Sequence, residues 1–343
     1  MKKYLLKLYG GKENKLLFIV LFLFIAFSLY VFYVLVFPLG KDTCVTIEEG
    51  ESAKDVLKNL DEKGLVRDKT LALYYIKVIG VEKRIMPSTF CVTPGDNFIK
   101  LVSKLSLKGL KKVVIPEGFD SFEVAELLEK EGVIKDRGEF LKVVFDRARA
   151  ESVLKTYNLP GLTLEGYLAP STYYFSDNLQ PAVVADRMVK RFTKTILPEL
   201  KKTNSSIYQT LVVASIIQRE TYEVSEMPII AGVFYNRLKR GMPLQADPTV
   251  IYAIKLENGG YFDGSLSRRD LSINSPYNTY SNPGLPPTPI CNPGIDAIKA
   301  AMYPSKTDYL YFVSMGNGRH FFSKDLKTHN IAVEKYIKGQ SNE

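Results

Sequence analysis

Histidine and cysteine are scarce in this chain, and their scarcity narrows its chemistry. Only two histidines occur in 343 residues, His320 and His329, which excludes a histidine-rich metal site. The three cysteines, Cys44, Cys91 and Cys291, are spaced too widely for a zinc ribbon or a CxxC redox pair. They read as three unpaired small hydrophobes or, in an oxidising compartment, as a Cys44–Cys91 bridge with Cys291 buried and free. No Walker A motif, Rossmann glycine fingerprint or HExxH occurs, so no nucleotide, redox or metal cofactor is expected. There is no Lys/Arg run and no zinc, homeodomain or RNA-binding signature, so nucleic acid is not an expected partner despite a net charge of +9. Lys2, Lys3, Lys7, Lys12 and Lys15 against Glu13 put +4 of that charge in residues 1–40, leaving +5 for the other 303 residues.

What the chain does have is one long apolar block. Leu16 to Phe37 runs 22 residues without a charge, enough for a helix to cross a bilayer. A cleaved signal peptide would have a shorter apolar region ending in small residues; this one ends Phe37-Pro38-Leu39-Gly40. An uncleaved signal anchor over 16–39 is therefore expected, after a cytoplasmic tail over 1–15. The lysines precede the span, and positive residues stay inside, so the rest of the chain is expected outside the cytoplasmic membrane.

Just beyond the span the sequence repeats itself at an offset of 68 residues. Ile47 matches Ile115, Glu49-Gly50 matches Glu117-Gly118, Leu60 matches Leu128, Gly64 matches Gly132 and Asp68 matches Asp136. Each copy reads as a β-branched strand, a glycine turn, a capping Ser52 or Asp120, then an amphipathic helix closed by glycine. Small βα modules of this kind resemble the LysM fold, which binds amino-sugar glycans; plain scaffold is the alternative reading. A helix over Leu71–Val81 and a strand over Thr89–Thr93 are expected between the copies. Further on, apolar spacing of three and four predicts helices at Glu139–Tyr157, Pro181–Thr195 and Ser206–Tyr222. Residues 258–294 are rich in Gly, Pro, Ser and Asn and read as a long functional loop, too rich in tyrosine for disorder. A helix (Ile295–Tyr303), a strand (Tyr309–Ser314) and a terminal helix close the chain. The expected fold class is α+β.

Glu220 is the residue on which chemistry concentrates. It follows Val213, Ile216 and Ile217 by seven, four and three, which places its carboxylate on the apolar face of its helix. Desolvation there raises a carboxyl pKa, and Glu223 one turn on is expected to add like-charge repulsion. A carboxyl protonated near neutral pH is what a general acid needs. Arg219 points elsewhere on the helix and is not expected to quench the effect. The plain alternative is a solvated glutamate where a helix ends.

The surrounding run RETYEVSEMPIIAGVFYNRLKRGMPLQADPTVIYA, with LEGYLAPSTY at 164–173 and SPYNTYSNPGLPPTPICNPG downstream, resembles the endolytic murein transglycosylase family, the YceG-like proteins. The likeness covers nearly the whole chain, in order. It implies a cytoplasmic tail, one span, a LysM-like subdomain over 41–112 and a catalytic domain over 113–343 that includes the second repeat copy at 113–136. It also implies that the glutamate of the E-T pair, here Glu220, is the catalytic acid. Two positions depart from the pattern: Ser171 stands where an acidic residue is expected, and Gln218 where a glutamate often stands. Gln218 removes a rival carboxylate.

The family chemistry needs one committed acid, unlike glycosidases with two carboxylates. The implied product is a 1,6-anhydro-N-acetylmuramic acid end, formed without water, with peptidoglycan strands as substrate, termination of nascent strands as the role and cell-wall synthases as partners. Glu165, Tyr167, Asn236, Gln245, Asp247, Thr249, Ser275, Tyr277, Asn278 and Tyr280 are the candidates to line a sugar cleft. The bland reading is that Asp247-Pro248 starts a helix and Asn236-Arg237 braces a turn. Three rivals remain. Ser152-Val153-Leu154-Lys155 and Ser176-Asp177-Asn178 match penicillin-binding motifs, yet no KTG or KSG triplet exists. A water-using muramidase would need a second carboxylate, with Asp247 the obvious one. A non-enzymatic glycan-binding scaffold would not need Glu220 at all.

Overall fold

A computed structural model describes residues 12–106 and 109–338; the tail expected over 1–15 lies, as far as residue 11, outside the described residues. The chain is mixed α+β, about half helical. It forms two compact units, one running to Lys111 with Tyr174–Ser176 added, the other made of Lys112–Tyr173 and Asp177 onward.

The first unit opens with α1 (Lys12–Val36), whose Lys15–Val36 stretch is long and apolar enough to be a candidate membrane span. There follow β1 (Thr43–Ile47), α2 (Ala53–Glu62), α3 (Lys69–Val78), β2 (Ser88–Val92) and α4 (Phe98–Leu105). β1 and β2 pair antiparallel with Cys44 opposite Cys91, and those two cysteines form a disulfide while Cys291 is buried and free. Phe175 adds a parallel pairing at Thr89. Strand alternation turns Val45 and Ile47 inward onto Val56 and Leu60 of α2 and Leu101 of α4. Each such fully buried aliphatic contributes roughly 1.5–3 kcal/mol.

The second unit holds β3 (Lys111–Ile115) beyond its first residue, α5 (Ser121–Lys130), α6 (Arg137–Phe145), α7 (Arg147–Thr156), the first three residues of β4 (Ser171–Phe175), α8 (Pro181–Thr195) and the short α9 (Leu197–Leu200). Then come α10 (Ile207–Glu220), α11 (Met227–Lys239), α12 (Asp247–Glu257), α13 (Ile295–Met302), the hairpin β5 (Tyr311–Ser314) and β6 (His320–Ser323), and α14 (Leu326–Val333). Helix α10 is the core: every residue from Thr210 to Gln218 is buried, and α13 and α11 pack against it. A helix apolar all round belongs inside, so the apolar stripe read from the sequence is in fact a fully enclosed helix.

The repeat is reproduced at backbone level. Ser52 with Asp55 and Asp120 with Glu123 both form reciprocal capping boxes, each satisfying two orphan helix donors. Gly50 and Gly118 take φ of 83° and 82°, and Gly64 and Gly132 take 68° and 67°, conformations open to glycine at little cost. Two expectations need correction. The single helix over Glu139–Tyr157 is two, because Asp146 is extended (φ −65°, ψ 107°) and its carboxylate accepts from Arg149 N at 3.1 Å. A short acidic side chain that bonds its own backbone competes with helix continuation. The last strand begins at Tyr311 rather than Tyr309, and it has a partner, β6, that was not expected.

The long segment 258–294 carries one 3-10 turn, Asp270–Ser272, and is ordered by side chains instead. Asn292 accepts from Gly166 N and Leu168 N at 3.0 and 2.9 Å and donates to Phe119 O and Glu165 at 2.9 and 3.1 Å. Asn278, fully buried, donates to Leu271 O and Ile273 O at 3.0 Å each. Gly166 has φ 85°, and a Cβ there would lie 2.5 Å from Pro289 Cγ, so this motif position requires glycine.

Candidate active site

Helix α10 ends where the cleft begins. Ser206 caps its start, accepting from Gln209 N at 3.4 Å, and Thr221, extended, follows its last residue, Glu220. Glu220 is only partly exposed and lines a cavity of about 630 Å³, a size typical of ligand sites. Burial is the main reason its carboxyl titrates at about 8; the Asp247 carboxylate adds to the rise and the Arg237 guanidinium opposes it. The negative end of the α10 dipole acts in the same direction as burial. The like charge expected from Glu223 comes from Asp247 instead; Glu223 borders the same cleft and accepts from Ser225 Oγ at 2.6 Å.

Arg219 leaves on the other side, as its helical position requires. It donates to Gly118 O at 3.0 Å and pairs with Glu123 at 3.1 Å, while Lys255 bridges Glu123 and Asp120 at 3.0 and 2.6 Å. This partly buried network pairs the cations behind α10 with carboxylates of their own, away from Glu220.

The cation that does reach Glu220 is held fixed. Arg237 of α11 donates to Leu310 O (2.6 Å), Pro243 O (3.1 Å), Leu244 O (2.9 Å) and Gln245 Oε1 (3.1 Å), and lies 5.0 Å over the Tyr311 ring. These bonds brace residues 243–245 and fix the guanidinium in place, and its charge opposes the rise at Glu220 without overcoming burial and Asp247. Gln245 takes φ 50°, and its neighbour Ala246 N donates to Thr279 Oγ1 at 3.0 Å, which aims α12 at the cleft. Asp247 opens α12, where a helix N-terminus favours negative charge, and accepts from Tyr280 Oη at 2.5 Å. The opposite wall is Phe312, Val313 and Ser314 of β5, His320 of β6 and His329 of α14, with Tyr222 at the lip, 89% exposed. His320 is pinned by Glu226, Nδ1 to Oε2 at 2.7 Å, and His329 stacks on Tyr311 at 5.2 Å. Burial, then Arg237, pushes the His329 pKa down.

Of the residues singled out from the sequence, Glu220, Gln245, Asp247 and Tyr280 meet in this cleft. The others sit elsewhere. Thr249 is fully buried, bonded to Ala246 O at 2.7 Å and Thr279 Oγ1 at 2.8 Å. Asn236 donates to Thr307 O and Tyr309 O at 2.8 and 3.0 Å, bracing the entry to β5. Tyr167 is enclosed and bonds Pro160 O; Tyr277 Oη meets Thr288 Oγ1 at 2.8 Å; Ser275 and Asn278 organise the long loop. Glu165 is a buried hub, accepting from Ser121 N (3.0 Å), Tyr252 Oη (3.0 Å) and Asn292 (3.1 Å), with its pKa raised to about 8 by burial and then by Asp120. Among the described residues, no group of three or more His, Cys, Asp or Glu is placed to hold a metal ion.

A profile of the YceG-like family matches residues 45–335, spanning the first unit's strands, the cleft and its far wall. This chain belongs to the YceG-like family. Over 329 residues it is 34% identical to the endolytic murein transglycosylase of Bacillus subtilis (strain 168), covering 89% of this chain and 88% of that one. The endolytic murein transglycosylase of Streptococcus pneumoniae D39 is 27% identical over 334 residues, covering 88% of this chain and 60% of that longer one. In the solved structures, a 2.6 Å crystal structure of a YceG-like protein from Listeria monocytogenes superposes with a TM-score of 0.58 at 32% identity, over 84% of this chain and 98% of that one.

For this YceG-like chain, the far wall of the cleft is what sequence reading missed. The Asn317-Gly318 pair between apolar segments is a hairpin signal that would have revealed β6 and brought His320 to Glu226. Two histidines are too few for a histidine-rich metal site, yet both reach the cleft.

Proposed function

We propose that this chain is an endolytic peptidoglycan lytic transglycosylase, a lyase, with Glu220 as its single acid/base. The observation that carries the reading is the placement of Glu220, a helix-terminal carboxyl lining a cleft beside Asp247, where burial and that neighbouring carboxylate raise its pKa to about 8. Its relatives' names agree with it. Glu220 gives its proton to the oxygen joining N-acetylmuramic acid C1 to N-acetylglucosamine C4, and that C1–O bond breaks. Positive charge develops at C1, and the Asp247 carboxylate, held by Tyr280, lies in the same cleft to stabilise it. The muramic C6 hydroxyl then bonds C1 and returns its proton to Glu220. The enzyme is regenerated, and the product is a 1,6-anhydro end with no water consumed.

The rest of the chain fits this work. α1 anchors it in the cytoplasmic membrane with the N-terminus inside, and the disulfide suits an exported domain. The LysM-like segment 41–112 holds glycan for the catalytic domain 113–343, beside the synthases whose nascent strands it terminates. One observation favours a second reading: Asp247, sharing the cleft with Glu220, is a ready base for a hydrolytic water. Digestion of peptidoglycan in ¹⁸O-labelled water separates the two. A transglycosylase leaves unlabelled anhydro ends, whereas a muramidase leaves reducing ends carrying ¹⁸O, and that result would overturn the proposal.

A further inference from the structure

Helix α1 does not leave the apolar run as a free tether. Its last turns belong to the core of the first unit: Val34 and Leu35 are buried, and Val31, Val36 and Leu39 pack on the same cluster. Arg67 donates to the carbonyls of Tyr33 (3.2 Å), Phe37 (2.8 Å) and Pro38, and its guanidinium lies over the rings of Tyr33 and Phe37 at 4.9 and 5.6 Å. Lower on the helix, Tyr30 Oη donates to Asp68 at 2.7 Å. Asp68 is the N-cap of α3, accepting from Leu71 N at 2.9 Å. The unit therefore grips α1 from Tyr30 upward.

Length turns that grip into a position. A hydrocarbon core about 30 Å thick takes about 20 helical residues at roughly 1.5 Å each. Counted from Lys15, the last charge before the apolar run, the far boundary falls near Leu35. Tyr30, and the start of α3 bonded to it, then lie about 7 Å to the lipid side of that boundary. A tilted helix spends more residues on the crossing, so tilt only places them deeper.

The outward side of α3 suits such a place. Its inner face, Ala72 and Ile76, is buried in the core. Outward, Tyr74 is 66% exposed, Val78 64% and Ile79, just past the helix, 41%, with Lys77 among them. Left in water this is a costly face, whereas Tyr and Lys beside aliphatics are the residues of a membrane interface. We propose that α3 lies at the boundary between headgroups and acyl chains where α1 emerges, with Tyr74, Val78 and Ile79 against lipid, so that the first unit is seated in the bilayer surface. The inference rests on reading α1 as a span.

The chain has no tryptophan, so Tyr74→Trp introduces a sole indole at an exposed position. The full chain carrying it is placed in nanodiscs made with lipids brominated near the top or near the end of the acyl chain. The expected result is blue-shifted emission, quenched most by the shallow bromines, while Phe24→Trp is quenched most by the deep ones. Phe24→Trp quenched, with Tyr74→Trp unquenched and emitting as in water, overturns the proposal and leaves the span intact. If neither is quenched, the span reading falls and the proposal with it.

Discussion

Glu220→Gln removes the carboxyl the reaction needs, and it should make the folded protein more stable above neutral pH. Folded, Glu220 titrates at about 8, against an ordinary value of 4.5. Below pH 4.5 both the folded and unfolded chains are protonated there, and the group contributes its full share of stability. That share is lost as pH rises toward 8, because only the unfolded chain is then free to ionise. A difference of this size is worth at most about 5 kcal/mol at pH 8, using 1.36 kcal/mol per tenfold change. Glu220 borders an open cleft and is partly solvated, so solvent screening cuts this to about 2 kcal/mol. Glutamine has the same shape and never ionises, so it escapes the loss. Thermal unfolding of the full chain in detergent should show the variant melting about 4–8 °C higher at pH 8, with the gap closing by pH 4.5. An equal gap at both pH values, or a less stable variant at pH 8, would refute the reasoning.

Activity should fall as pH rises through about 8, where Glu220 loses its proton. Asp247→Asn removes a charge that helps hold that proton; the alkaline limb of kcat/KM should move to lower pH, and the rate should drop at least about tenfold. Tyr222→Ala, at the exposed lip, should leave melting within about 0.5 kcal/mol of wild type and raise KM for glycan strands with little change in kcat. Glu165→Ala strands Ser121 N, Tyr252 Oη and Asn292, so urea unfolding should show a loss of about 3 kcal/mol or more.

Local patterns carried much of this into the sequence. The offset of 68 residues, with Ser52 and Asp120 as caps, specified two strand–helix units because caps and glycine turns act within a few residues. The Pro181–Thr195 helix appears with the same bounds, as proline at N1 and amphipathic spacing are both local signals. The environment of Glu220 was legible only in part. Spacing could place it on an apolar surface, but the partner that raises its pKa, Asp247, is 27 residues away and arrives through the Arg237-braced loop. Likewise, nothing in LEGYL distinguishes a glutamate facing sugar from one accepting from Ser121, Tyr252 and Asn292. The Asp146 break escaped because one side chain both ends a helix and caps the next, leaving the apolar spacing uninterrupted.

The most direct test of the central claim is mass spectrometry of muropeptides released from peptidoglycan by the wild-type chain and by Glu220→Gln. The account predicts internal fragments ending in 1,6-anhydro-muramic acid from the wild type and none from the variant. Anhydro ends produced equally by both would contradict the assignment of Glu220, and no cleavage by either, with glycan still bound, would leave a scaffold rather than an enzyme.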